Sequence, residues 1–313
     1  MMNIDFNNGL SFKDAPDTLL TDFNIKEPNS LLCRGDAKIK NTNQVMYLLL
    51  NINDHEVLLI YKYVKIIKNQ FVRLLHFPIT KPHNVDLEVQ LLKLLSKHPQ
   101  IQEILTTKTD LEYHNFPIRD NYDLWATDFY DILDESHAKV NRGKHKSKVK
   151  YTKYKDRIQF RKATEDDYLD IMNILHEWKQ FKIDDDTLFN KKTFHTVEKK
   201  FSELLYPPFA TYITLFDGVI VAFEVVHDEG DTLFQLVNQA YRKPDQLPFD
   251  EIIAKDIIAY VHKWNHLLTI NELHDKYKII NYEYASDPNG GLFNFKRNLY
   301  TYEVPLYRLK FKK

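Results

Sequence analysis

The chain has 313 residues, room for one large domain or two ordinary ones, and its 43% hydrophobic and 13% aromatic residues can fill a real core. A formal charge of −1 argues against a wholesale nucleic-acid binder, although it leaves local patches open. No apolar run of about 18 residues suggests a membrane span, "MMNIDFNNGLSFKDAPD" lacks the marks of a secretory signal, and a lone cysteine, Cys33, excludes a disulfide framework or a Cys-rich zinc site; the expectation is a soluble, cytoplasmic protein.

In the first half, "QVMYLLLNI", "HEVLLIYKYV" and "QFVRLLHFPI" read as consecutive strands. "DLEVQLLKLLSK" reads as a helix, "IQEILTTK" as a strand, and "DLWATDFYDIL" holds a further short element. From Arg142 to Arg157 eight Lys or Arg residues stand against one acid, Asp156. Such a run is either a solvated segment or an interaction surface. It marks the joint between a domain of residues 1–145 and one of residues 146–313.

The second half opens with "RIQFRKAT", which alternates like a strand. Thr164 then caps a helix, with Asp166 and Asp167 in the first turn, where the helix dipole favours acids. Tyr168, Ile171, Met172 and Leu175 give it one apolar face. A second helix runs through "FHTVEKKFSELL" and stops before Pro207-Pro208. "ATYITLF" meets "VIVAFEVVHD" across Asp217-Gly218, a strong hairpin signal because glycine takes positive φ cheaply. A turn at Glu229–Asp231 leads into "TLFQLVNQAY". "PFDEIIAKDIIAYVHKWN" is a helix whose expected buried face is Phe249, Ile252, Ile253, Ile257, Tyr260 and Val261. "KIINYEYAS" is a strand, the Gly290-Gly291 stretch opens a short helix, and "TYEVPLYRLKFK" is the last strand. Trp178 and Trp264 read as core. His262 and His266 read as surface, with no third ligand to make a metal site.

This order, β-α-α-β-β-β-α-β-α-β over residues 157–313, is similar to the GCN5-related N-acetyltransferase (GNAT) fold. "FRKATEDDYLDIMNIL" looks like its first strand and helix. The ending "IINYEYASDPNGGLFNFKRNLYTYEVPLYRL" resembles that of the tandem-GNAT Fem peptidyltransferases and the phosphatidylglycerol lysyltransferase C-terminal region. There a strand with an Asn leads into a Gly-Leu-x-x-Phe-Lys helix, matched here by Asn281, Gly291, Leu292, Phe295 and Lys296. The basic joint looks like the segment between the two Fem halves. The fold class implied is a mixed α/β (α+β) sheet in two tandem GNAT-like domains, the C-terminal one clearer.

The resemblance implies an acyl- or aminoacyltransferase whose donor is acyl-CoA or aminoacyl-tRNA and whose acceptor is an amine or hydroxyl on a large molecule. The acceptor classes are a cell-wall precursor, a lipid, a protein or a modified nucleic acid. Acetyltransferases of this fold cradle the CoA pyrophosphate with Arg/Gln-x-x-Gly-x-Gly/Ala after the fourth strand. Here that place reads Arg242-Lys243-Pro244-Asp245-Gln246-Leu247-Pro248, without glycine and with two prolines that remove N–H donors. This favours an aminoacyl-tRNA donor or a non-catalytic relative over standard CoA binding.

In this fold the substrates meet where the fourth and fifth strands splay. Gln235, Asn238 and Tyr241 are the fourth-strand candidates, and Asn238, Tyr241, Arg242, Lys243 and Gly291 are the donor-binding set. On the fifth strand Asn281 and Glu283 share one face, Tyr282 and Tyr284 the other. Tyr282 would serve as a general acid, Glu283 or Glu224 as a base if burial raises its pKa, and Lys296 as an oxyanion or phosphate partner. The bland alternative makes the tyrosines packing residues and Lys296 a surface lysine after a glycine turn. Arg142, Lys144, Lys146 and Lys148, interleaved with Tyr151 and Tyr154, suit tRNA or another nucleic acid through phosphate contact and stacking. A different class of reading is a catalytically silent GNAT-like module that binds nucleic acid through the basic segment at 142–157.

Overall fold

A computed structural model describes residues 4–16, 18–23, 25, 45–66, 69–116, 122–133, 145–184, 191–287, 290–297 and 302–311. The chain forms two compact units: Met1–Asp128 with Tyr284–Phe293 and Glu303–Lys313, and Phe129–Glu283 with Asn294–Tyr302.

The first unit is built on β1 (Leu10–Ser11), β2 (Val45–Ile52), β3 (His55–Ile66), β4 (Asn69–Leu74), β5 (Ile79–Lys81) and β6 (Ile101–Thr107). Between them lie helices α1 (Leu19–Asp22) and α2 (Val85–Leu95), and α3 (Lys108–Tyr113) follows β6. Strands β2, β3 and β4 are antiparallel neighbours, and β6 returns parallel to β4 after α2. That connection needs a crossover, which α2 supplies. Asn84 caps α2 by accepting from the Leu87 amide. Leu91, Leu92 and Leu95 on α2 pack with Val57, Leu59 and Tyr61 of β3 and with Ile104 of β6. The strands β2 to β4, α2 and β6 repeat the strands-helix-strand order expected of a GNAT copy.

The second unit begins with β7 (Tyr122–Ile132, shared with the first) and α4 (His145–Tyr154). Then come β8 (Ile158–Lys162), α5 (Tyr168–Asp184), α6 (Lys191–Leu204), β9 (Phe209–Phe216), β10 (Val219–Glu229) and β11 (Thr232–Ala240). Along the chain there follow α7 (Glu251–Leu273), β12 (Ile279–Ala285), α8 (Gly291–Arg297) and β13 (Tyr302–Lys310), of which Tyr284–Phe293 and the chain from Glu303 belong to the first unit. This is the element order read from the sequence. The capping box at Thr164–Asp167 forms, and the hairpin turn places Asp217 and Gly218 at φ 48° and 81°. Strands β8 to β11 are antiparallel, and β12 joins β11 in parallel. Both α5 and α7 pack on β10, so its run from Ile220 to His227 is buried throughout.

Two expectations are corrected. The buried face of α7 is Ala254, Ile257, Val261 and Trp264, whereas Ile252 is 73% exposed. The isoleucine-rich sequence allowed two overlapping stripes, and the sheet selected the one with alanine at the closest approach. The last strand, β13, pairs antiparallel with β6, from Leu306–Thr107 to Lys310–Glu103. Chain order alone would leave it with the second half.

Candidate functional site

Strands β11 and β12 are paired only at their beginnings. The parallel ladder runs over Thr232–Ile279, Leu233–Ile280 and Phe234–Asn281 and, among the described residues, goes no further. Beyond it β11 continues to Ala240, so the two strands part. The last turn-and-a-half of chain before the parting is buried: Asn281 and Tyr282 are both out of solvent. Lys296, on α8, is buried as well, and its Nζ donates to the Tyr282 carbonyl. An ammonium is thereby fixed beside the fifth strand.

Helix α7 faces the parted strands with a polar stripe. His262, Asn265 and Thr269 recur at helical spacing and each meets a residue of the sheet. His262 Nδ1 lies 2.9 Å from Asn238 Oδ1. Thr214 donates to Asn265 Oδ1, and Thr269 Oγ1 lies against Glu224 Oε1. Gln235 Nε2 donates to the other oxygen, Glu224 Oε2, at 2.6 Å.

The hydrogen bonds at Glu224 run toward its carboxyl: Gln235 donates to Oε2 and the Thr269 hydroxyl to Oε1, with the Asn265 carbonyl 2.9 Å away as a second acceptor for the same hydroxyl. Burial pushes Glu224 up to about 7, against the bonds from Thr269 and Gln235. This is the pKa expected of a base, but the residue is 0% exposed and cannot touch a substrate. Glu224, expected as a base, lies inside the layer out of reach of solvent and holds Gln235 in place.

His262 corrects the reading in the opposite direction. It is half-buried, its Nε2 is shut from solvent without a hydrogen-bond partner, and Phe295 stands edge-on at 5.9 Å. Burial and the nearby Arg242 charge pull it down to about 3. It is a neutral imidazole at physiological pH, too weak a base to take an amine proton but a good hydrogen-bond acceptor.

Arg242 ends β11. Its Nη2 donates to Gln239 Oε1 at 3.3 Å, while its Nε is buried and unpartnered. Among the described residues no carboxylate pairs with it, and burial pulls it below its ordinary value. A partly desolvated guanidinium without an anion is suited to receive one. The neighbouring amides are not. Gln246 Oε1 accepts from the Lys243 amide at 3.0 Å and the Arg242 amide at 3.3 Å, and Glu177 holds the Gln246 side chain in turn. The amides of Gln246 and Leu247 are used by Lys243 and Pro244 carbonyls. A pyrophosphate cradle of backbone N–H groups therefore does not fit this loop, and CoA has no amide-lined seat there.

Other sequence candidates fall as follows. Tyr241 is half-buried and burial raises its phenol, with Asp170 and Glu177 adding to the effect. Tyr284 is turned outward and packs on Trp125 at 4.9 Å. At Gly290 a Cβ would crowd Asp287, with Oδ2 at 2.9 Å and the carbonyl oxygen at 3.2 Å. Helix α8, opening at Gly291, has only 7 residues, too few for a strong anion seat. The side chains of Glu283, His266, Lys146 and Lys148 lie outside the described residues, as do Arg142, Lys144 and Cys33. Lys150 is paired with Asp256 at 2.7 Å, and Tyr154 is buried against Phe216 and Trp264. Tyr151 is partly buried in the same core. The tyrosines expected to stack on bases thus pack inward, because α4 presents its aromatic side to α7. Trp178 and Trp264 are core, as read. Among the described residues no group of His, Cys, Asp or Glu is placed to hold a metal, and no helix is long and apolar enough to cross a membrane.

No protein-family model matches the chain, and no curated protein matches it in sequence. Solved structures do match in fold. A conserved protein of unknown function from Bacteroides thetaiotaomicron is 12% identical, with a TM-score of 0.60 over 96% of this chain and 94% of its own. FemX is 8% identical, with a TM-score of 0.58 over 95% and 96%. The C-terminal domain of a putative lysylphosphatidylglycerol synthetase from Agrobacterium fabrum is 12% identical, with a TM-score of 0.53 over 94% and 90%. The resemblance drawn from the sequence to the Fem and lysyltransferase group holds at the level of fold: a mixed α/β protein with two GNAT-like units.

Proposed function

We propose that this chain is an acyltransferase that moves an aminoacyl group from tRNA to an amine or hydroxyl on a large acceptor. The reaction would take place where β11 and β12 part. The observation that carries the reading is the three-pair parallel ladder that stops at Phe234–Asn281. It leaves strand edges on which an extended acyl group can align by main-chain hydrogen bonds. Arg242 supplies a cation for a donor phosphate, and Lys296 an ammonium for the carbonyl oxygen as it gains charge. With Glu224 sealed away and His262 too weak, the acceptor proton passes to solvent or to the departing ribose oxygen.

The fold likeness to FemX and to the lysylphosphatidylglycerol synthetase domain supports transfer chemistry, and the closed amide loop supports an ester donor over CoA. A basic helix α4 would help to dock the tRNA phosphates. The test is ligand-dependent melting with acetyl-CoA, CoA, aminoacyl-tRNA, uncharged tRNA and duplex DNA added separately. A shift with tRNA that is larger when the tRNA is charged supports the reading. A shift with CoA compounds contradicts it. Equal shifts with tRNA and DNA, abolished by moderate salt, point to the silent nucleic-acid-binding module.

A further inference from the structure

The first unit holds a cluster of titratable groups of its own. Glu88, on α2, is 2% exposed. Its Oε1 accepts from the Thr80 amide at 2.8 Å and the Thr80 hydroxyl at 2.9 Å. Its Oε2 meets His114 Nε2 at 3.0 Å. His114 Nδ1 lies 2.7 Å from the Asp110 carbonyl, which only accepts, so that nitrogen carries a proton. His114 Nε2 shares a second proton with the carboxylate, and the pair is an imidazolium facing an anion. Phe77 stacks on the His114 ring at 4.1 Å and closes it from water.

His83 completes a line to the surface. Its Nδ1 is 3.1 Å from Glu88 Oε1, and its side chain is 47% exposed. A lone pair so close to a carboxylate would be repelled, so the proton of neutral His83 sits on Nδ1. Nε2 keeps its lone pair, and the Tyr113 hydroxyl lies 2.5 Å from it. Tyr113 is itself 54% exposed. The arrangement is a phenol, an imidazole acceptor and an anchored carboxylate in series, the order that activates a hydroxyl nucleophile.

We propose that Tyr113 is a base-assisted acyl acceptor, taking an acyl group from an activated ester or thioester through the relay Tyr113–His83–Glu88. In the step, the phenol oxygen bonds the acyl carbon, the phenol proton passes to His83 Nε2, and the ester's leaving group departs with its electron pair. The imidazolium then returns its proton to solvent. The site is open and needs no bound cofactor.

Tyr206 is an internal control: it is 60% exposed, and its hydroxyl has no hydrogen-bond partner among the described residues. The full chain is treated briefly with p-nitrophenyl acetate, and acetylation of each tyrosine is mapped by peptide mass spectrometry. Tyr113 is expected to react at least tenfold faster than Tyr206, in keeping with the ~10²-fold that general-base assistance supplies at its lower end. In His83→Gln the Tyr113 rate falls to that of Tyr206, while Tyr206 is unchanged. His83→Asn repeats the reading should the first variant fold poorly. Equal rates in the wild-type chain, or a Tyr113 advantage that survives both substitutions, overturn the proposal.

Discussion

The two units each bury a glutamate almost completely, Glu88 at 2% and Glu224 at 0% exposure, and they treat it in opposite ways. Burial pushes both carboxyls up. At Glu88 the hydrogen bonds from His114 and Thr80 outweigh burial and hold it below its ordinary value. His114 is the mirror image: burial would pull it down, and its bonds to Glu88 and Asp110 hold it up. At Glu224 the partners are a threonine and a glutamine, neutral groups that do not offset the cost of a buried charge, and the carboxyl is pushed up to about 7. Depth therefore does not make a buried acid a base. A charged neighbour, and a way out to solvent, are what Glu88 has through His83 and Glu224 lacks.

One substitution sharpens the contrast most. Glu88→Gln removes the anion that compensates His114 and is expected to cost about 3 kcal/mol or more in urea unfolding at neutral pH. Glu224→Gln replaces an acid whose ionisation burial opposes with a neutral isostere and has the opposite sign. Folded Glu224 titrates at about 7 against an ordinary value of 4.5, so the native state holds the extra proton between the two. Stability from this group is present below pH 4.5 and is lost as pH rises through 7. The loss is roughly 3 kcal/mol at its upper bound, and the Gln variant escapes it.

His262 has the reverse linkage. Its folded value near 3 lies below the ordinary 6.5, so the unfolded chain binds the proton first. Stability from it is present above pH 6.5 and is lost as pH falls toward 3, and His262→Asn should flatten that acid limb in pH-dependent melting. Thr269→Val takes away a hydroxyl that donates to Glu224. It should cost about 1 kcal/mol, the smallest of these effects, by the same unfolding assay.

Much of the fold was legible because the turns and caps are local. Asp217-Gly218, Thr164 with Asp167, and the crossover helices each carry their own chemistry within a few residues. The pairing of β13 with β6 was not legible, because a strand's alternation does not name its partner. At the site, Lys296 was singled out through its motif, and the parting of β11 and β12 was implied by the resemblance. His262 was missed since a histidine four residues from another on a helix looks like surface. Its signal was Asn238, too far off in sequence to be paired with it by eye. The relay of Glu88, His83 and Tyr113 joins α2, the segment before it and the end of α3, and no spacing rule connects them.

The most direct test is urea unfolding of Glu224→Gln beside the wild-type chain at pH 5 and pH 8. A Glu224 whose ionisation burial opposes predicts near-equal stability at pH 5 and a more stable variant at pH 8. A variant less stable than wild type at pH 8 would mean that the ionised carboxylate is stabilised by its surroundings. The carboxylate would then return as a candidate base, and the reading of the site as one that works through Lys296 and Arg242 alone would fail.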